Sequence, residues 1–210
     1  MKVVAITANP DPKSLTDAVG NAFLNGAAEG GASTDLIDLN TEGFNPVYTM
    51  EDRLHFLDQG PLPEDVAAMQ GRIADADVLA FVFPVYWFSM PALMKGFIDR
   101  VLCRRFAYNV DGTPGVLAGR KVRLIMLCGA EEERLRADGV DEAIDIQLVR
   151  RTLGDYCGVG DVEKIYVDQL VAGDDDPQVR EAIERRLVEI TLMGRRLAVE
   201  GEAGRSGGQA

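Results

Sequence analysis

Five short apolar runs, separated by stretches of helical character, limit what this chain can become more than any other feature. They are Lys2–Thr7 (KVVAIT), Thr34–Leu39 (TDLIDL), Asp77–Phe83 (DVLAFVF), Lys121–Leu127 (KVRLIML) and Val162–Val167 (VEKIYV). The first and third are apolar at nearly every position, as strands buried on both faces are. Between the first two, Ser14-Leu15-Thr16-Asp17 has capping-box spacing, with Asp17 reaching back to Ser14. It opens an Ala-rich helix to Glu29, closed by Gly30-Gly31. Residues 41–63 read as a long loop with one short helix, and Pro63-Glu64 starts a helix to Ala74. Met90, Leu93, Met94, Phe97 and Val101 then fall at helical spacing. Residues 104–117 read as an excursion, and a fourth major helix is expected over Asp141–Gly154. Asp176-Pro177 begins a last helix to Glu200, with proline just inside its start.

Strand and helix in strict alternation imply a parallel sheet with helices on both sides. Five strands suit the order 2-1-3-4-5, so the expected fold class is α/β, a flavodoxin-like three-layer sandwich. One domain is expected over 1–200, with 201–210 (GEAGRSGGQA) as a disordered tail. A chain of 210 residues can bury a large core without staples.

Composition removes several function classes. Lys and Arg number 22 against 34 Asp and Glu, a formal charge of −12, which argues against nucleic acid or a polybasic membrane contact. The apolar run before Asn9-Pro10-Asp11 is too short for a signal-peptide core, and no segment is long enough to span a membrane. Cys103, Cys128 and Cys157 are odd in number and widely spaced. They read as reduced thiols of a cytoplasmic protein. His55 is the only histidine, so no multi-imidazole metal site is expected. Gly204-Arg205-Ser206-Gly207-Gly208 matches G-x-S-x-G, but no helix is expected after it and His55 precedes it. Asp174-Asp175-Asp176 reads as the cap of the last helix.

In an open parallel sheet, ligands bind beyond the carboxyl ends of the strands at the switch point. That directs attention to Ala8–Thr16, Pro84–Ser89 and Cys128–Arg134. The first loop has no dinucleotide glycine fingerprint and no phosphate loop ending in Gly-Lys. It does offer Ser14, Thr16 and the first amides of a helix, where an anion is favoured. The second loop places Tyr86, Trp87 and Phe88 in succession where a strand leaves the sheet. Strand alternation cannot bury all three on one face, so at least one should protrude or line a pocket. A flat apolar wall beside backbone N–H groups suits a planar heteroaromatic ligand.

The segment Phe83-Pro84-Val85-Tyr86-Trp87-Phe88-Ser89-Met90-Pro91, continuing Ala92-Leu93-Met94-Lys95-Gly96-Phe97-Ile98-Asp99-Arg100-Val101, closely resembles the signature of NAD(P)H:quinone oxidoreductases. That flavodoxin-like family includes the modulator-of-drug-activity type and ancillary subunits of potassium efflux systems. The likeness extends to Asn9-Pro10, Ser14-Leu15-Thr16, Phe44-Asn45-Pro46 and Phe106-Ala107-Tyr108, and fades beyond residue 130. It implies a non-covalent flavin, FAD or FMN, with Ser14, Leu15 and Thr16 near its phosphate. Pro84, Val85, Tyr86, Trp87 and Phe88 would then lie along the flavin ring, mainly through backbone amides. It also implies NAD(P)H as co-substrate, a quinone or similar acceptor, a ping-pong hydride cycle and a homodimer.

Two departures stand out. Asn9 replaces a frequent histidine, and Leu127–Leu135 retains Gly129 but neither the Tyr nor the His that relatives carry there. Hydride transfer needs stacked rings held at reacting distance rather than an acid or base. No catalytic side chain is therefore expected beyond the positioning by Tyr86, Trp87 and Phe88. Two other readings are a redox-sensing ancillary subunit of a transporter and a flavodoxin-type electron carrier.

Overall fold

A computed structural model describes residues 1–170 and 176–207. Its centre is a five-stranded, all-parallel sheet ordered β2-β1-β3-β4-β5. The strands are β1 (Lys2–Thr7), β2 (Ser33–Asp38), β3 (Val78–Pro84), β4 (Lys121–Cys128) and β5 (Asp161–Asp168). The order is the one expected from the alternation.

Period-two alternation sends the two halves of each strand into two cores. Val4, Ile6, Leu79, Phe81, Phe83, Leu124 and Met126 face one side. There they meet α3 (Glu64–Ile73) and α4 (Ala92–Val101), with Phe97 between the rings of Phe44 at 5.7 Å and Phe81 at 6.3 Å. Val3, Ala5, Ala80, Val82, Ile125 and Ile165 face the other side, covered by α1 (Leu15–Glu29) and α7 (Pro177–Gly207). A short α2 (Met50–Phe56) occupies the loop after β2, as expected, and has its own capping box on Thr49.

The stretch after β4 differs from expectation. Glu131-Glu132-Glu133 reads as an acidic loop, but Glu132–Ala137 forms α5. Its start is capped from outside: the Glu132 N–H donates to Asp168 Oδ2 on β5 at 2.8 Å, a partner no local pattern reveals. Gly139, at φ 77°, then separates α5 from α6 (Val140–Ile144). That helix continues as a π-helical segment over Asp145–Tyr156.

The last helix also runs past Glu200. Residues 201–207, expected as part of a disordered tail, are helical, and the N-terminal amine pairs with Glu202 at 2.8 Å. Asp176 caps the helix, accepting from the Gln178 N–H at 2.8 Å. Asp174, Asp175 and Gly208 lie outside the described residues.

Candidate functional site

The loops leaving β1, β3 and β4 come from adjacent strands, so they sit side by side at the carboxyl edge of the sheet. The chain turns towards β2 after β1 and towards β4 after β3, which makes the gap between them the switch point.

The β1–α1 loop is fastened from within. Asn9 Oδ1 accepts from the Asp11 N–H at 3.1 Å, and its amide nitrogen donates to Thr16 Oγ1 at 3.0 Å. Asp11 holds the Lys13 and Ser14 amides. Ser14 is the N-cap of α1, accepting from the Asp17 N–H at 3.2 Å. Its hydroxyl also donates to Asp17 Oδ2 at 2.7 Å. The expected capping box is therefore altered: Asp17 reaches the Ser14 hydroxyl, while the Ser14 N–H bonds the Asp11 carbonyl. Leu15 and Thr16 are buried at the first turn, where amide N–H groups have no intrahelical acceptor. The other carboxylate oxygen of Asp17, Oδ1, is buried without a hydrogen-bond partner, as is Thr7 Oγ1 at the end of β1.

The β3–α4 loop is a tight reverse turn. Tyr86 and Ser89 exchange both backbone bonds, at 2.9 and 3.0 Å, and the Val85 N–H donates to the Leu127 carbonyl at 2.8 Å. The two central residues have positive φ, 49° at Trp87 and 62° at Phe88. That is type I′ geometry, which ordinarily takes Asn-Gly. Bulky aromatic residues there store strain of about 1–3 kcal/mol each. No burial offsets this, because Tyr86, Trp87 and Phe88 are 50%, 94% and 63% exposed. All three protrude, where the alternation argument required only one. Pro84 ends β3 in register with Leu127, and Val85 is half-buried beneath the turn. The exchange of bonds across the turn leaves the Trp87 and Phe88 amides at its tip.

Gly129, in the third loop, is exposed, and a Cβ built on it would meet nothing within 4 Å. Its backbone borders open space. Beside it Cys128 is buried, and its thiol is pushed up to about 12, first by desolvation and then by Asp168 and Glu132. That thiol is a packing group, not a nucleophile.

Other polar side chains that could meet a ligand lie away from these loops. Arg104 bonds the Phe56 carbonyl and Asp58, and Arg105 also pairs with Asp58, so these cations hold the end of α2. His55 lines a small pocket with Asp52 and Arg100 on the side of the sheet. A separate hollow of about 340 Å³ is walled by Tyr48, Phe56, Cys103, Tyr108 and Tyr156. Sequence reasoning assigned it nothing, because its walls come from three distant segments. No cluster of potential metal ligands occurs among the described residues.

A doubly wound parallel sheet ordered 2-1-3-4-5, with a strained aromatic turn at its switch point, defines a flavodoxin-like protein. The chain belongs to the flavodoxin-like fold family, whose model matches residues 1–190. Among solved structures, an NAD(P)H:quinone oxidoreductase from Methanothermobacter marburgensis superposes with a TM-score of 0.82 at 32% identity, covering 94% of this chain and 98% of its own. A protein of Haemophilus influenzae described as an uncharacterized NAD(P)H oxidoreductase is 30% identical over 166 residues, 78% of this chain and 81% of its own. The mouse ribosyldihydronicotinamide dehydrogenase [quinone] is 31% identical over 157 residues, 66% of this chain and 68% of its own. An FMN-dependent NADH-azoreductase from Bacillus anthracis, solved with FMN, shares the fold at a TM-score of 0.68 and 17% identity.

Proposed function

We propose that this chain is an oxidoreductase that holds a non-covalent flavin at the switch point and passes a hydride from NAD(P)H to a quinone or similar electrophile. The observation that carries the reading is the turn at Tyr86–Ser89. Strain at Trp87 and Phe88, with their rings left in solvent, is expensive for the fold and gains it nothing. A planar ligand laid against those residues supplies the missing return.

The donor set fits a flavin. The Trp87 and Phe88 amides suit the polar edge of the ring, and Pro84, Val85 and Tyr86 line its approach. The Leu15 and Thr16 amides suit a phosphate, while Asn9 and Ser14 hold that loop in shape. Gly129 leaves room beside the ring. A bound flavin supplies the two-electron chemistry. The chain supplies orientation, apolar walls and fixed N–H dipoles that favour negative charge on the ring. One open face serves NAD(P)H and acceptor in turn. Pairing of two copies, covering exposed apolar residues such as Val47, Met50 and Val110, belongs to the same proposal.

The test is the visible spectrum of protein supplied with FMN or FAD, recorded during anaerobic addition of NADPH or NADH. Bleaching in one two-electron step, reversed by a quinone, is the expected result. No pyridine-nucleotide-driven quinone reduction with either flavin overturns the proposal. Sedimentation of the loaded protein reads the number of copies.

A further inference from the structure

We propose that Asp168, at the end of β5, is a positioning residue for the loop after β4. It holds the free amides of Gly129–Glu131 beside the aromatic turn, where they favour the reduced, negatively charged state of the ring bound there. This rests on the flavin reading above and extends it.

The loop is a short arch between two fixed points, and the end of β5 supplies both. At the near end the Cys128 carbonyl accepts from the Gln169 N–H at 3.0 Å. At the far end the Glu132 N–H donates to Asp168 Oδ2 at 2.8 Å. Gln169 makes its bond from a left-handed conformation, φ 56°, which costs a non-glycine residue about 1–3 kcal/mol and persists only where its surroundings determine it.

Between those points the fold leaves the backbone unclaimed. Gly129, Ala130 and Glu131 are exposed, and their N–H groups donate to no acceptor among the described residues. The carboxylates at the far end are already engaged, Glu131 by the Gln169 side-chain amide and Glu132 by Arg136 at 2.6 Å. The arch also stands next to the aromatic turn. Leu127, two residues before Gly129, is in register with Pro84 and accepts from the Val85 N–H at 2.8 Å. Amide dipoles stabilise a developing charge most when they are fixed beforehand and need not reorganise. Without Asp168 the arch is fastened at one end only, and its amides can turn to water.

The experiment loads the protein with FMN or FAD and measures two quantities: the affinity for oxidised flavin, by fluorescence titration, and the midpoint potential of the bound flavin. Asp168→Asn and Asp168→Ala both remove the charge, but only asparagine keeps an oxygen to accept from the Glu132 N–H. The preference for reduced over oxidised flavin should be about tenfold lower in Asp168→Ala than in Asp168→Asn, a potential lower by about 30 mV. Oxidised-flavin affinity should differ between them by less than about threefold. A cap that served α5 alone would weaken both redox states alike and leave the potential unmoved. Potentials of the two variants within about 10 mV of each other therefore overturn the assignment and leave the flavin reading intact. Glu132→Pro and Glu132→Ala repeat the comparison from the donor side. Glu132 is the first residue of α5 and Glu131 before it is extended at ψ 144°, so proline fits there and removes the N–H. The proline variant should again lie about tenfold below its alanine control, which decides the matter even if Asp168→Ala does not fold. A wild type that binds neither flavin overturns the flavin reading, and the assignment with it.

Discussion

The crossing of α1 with α7 and the turn at Tyr86–Ser89 handle glycine in opposite ways. Where the two helices cross, backbone meets backbone: a Cβ on Gly26 would lie 1.8 Å from the Thr191 carbonyl oxygen, and one on Gly194 would lie 2.1 Å from that of Phe23. Glycine stands where packing leaves space for nothing else, and Phe23, Ala27, Ile190 and Ala198 close around it. At the turn, the backbone conformation itself favours glycine, yet the residues are Trp87 and Phe88. Every local choice at the crossing agrees with the fold, whereas the turn breaks a local rule with no packing gain. Violations of that kind mark functional sites.

The largest effect should come from breaking the first half of this comparison. Gly26→Val pushes a branched side chain into the α7 backbone and should destabilise the protein by about 3 kcal/mol or more, near the upper end for overpacking. Urea unfolding measures it. A loss below about 1 kcal/mol would show that the helices separate easily and that the crossing is not a fixed element.

The turn leads into α4, which lies on the opposite face of the sheet from the crossing. Its Arg100 side chain is 3% exposed and bonds Asp52, Asp65 and the Asn45 carbonyl. It also lies 5.6 Å from the Phe44 ring centre. Arg100→Met should cost about 3–5 kcal/mol, because Asp52 is left buried without its counter-charge. Urea unfolding of this variant would assign α4 to the scaffold, so that the turn is a strained element on a firm base. A loss under 1 kcal/mol would place α4 with the turn instead.

Replacing Trp87-Phe88 by Asn-Gly tests the other half and carries the opposite sign. The pair relaxes a type I′ turn, so stability should rise by about 1–2 kcal/mol. Flavin affinity should fall at least about tenfold. Stability without loss of binding would make the aromatic pair incidental. A loss of stability would mean that the rings pack against something this chain contacts.

The comparison also explains what could be read from the sequence. Both sides of the sheet, the strand order and the cap at Ser14 were legible, because hydrophobic period and capping chemistry are local. The aromatic run was legible as an anomaly, since strand alternation could not bury Tyr86, Trp87 and Phe88. Its geometry was not, because nothing in Tyr-Trp-Phe-Ser announces positive φ. The Asp17 side chain was expected to reach the Ser14 backbone. A local turn, the Asp11 carbonyl accepting that N–H from three residues on, sent it to the hydroxyl instead. The start of α5 escaped for a tertiary reason, as its cap, Asp168, lies on another strand.

The smallest effect separates the regions by pH. Asp65 is held below the ordinary carboxylate range chiefly by its hydrogen bond from Arg100, against desolvation that acts the other way. A depressed carboxylate contributes its stability above the unfolded value of about 3.9 and loses it as pH falls through the folded value. Asp65 is 47% exposed, so solvent screening leaves that contribution under about 1 kcal/mol. Asp35, lowered mainly by its hydrogen bond from Arg72, adds a second decline in the same window. Urea midpoints from pH 5 to pH 3 should therefore fall in the wild type and fall less in Arg100→Met, which loses the Asp65 part but keeps those of Asp35, Asp141 and Asp161. The Asn-Gly turn variant changes no charge, so its curve should run parallel to the wild type at higher stability. If its slope changed instead, the turn would be coupled to the Arg100 network, and the division between a self-consistent scaffold and a strained site would not hold.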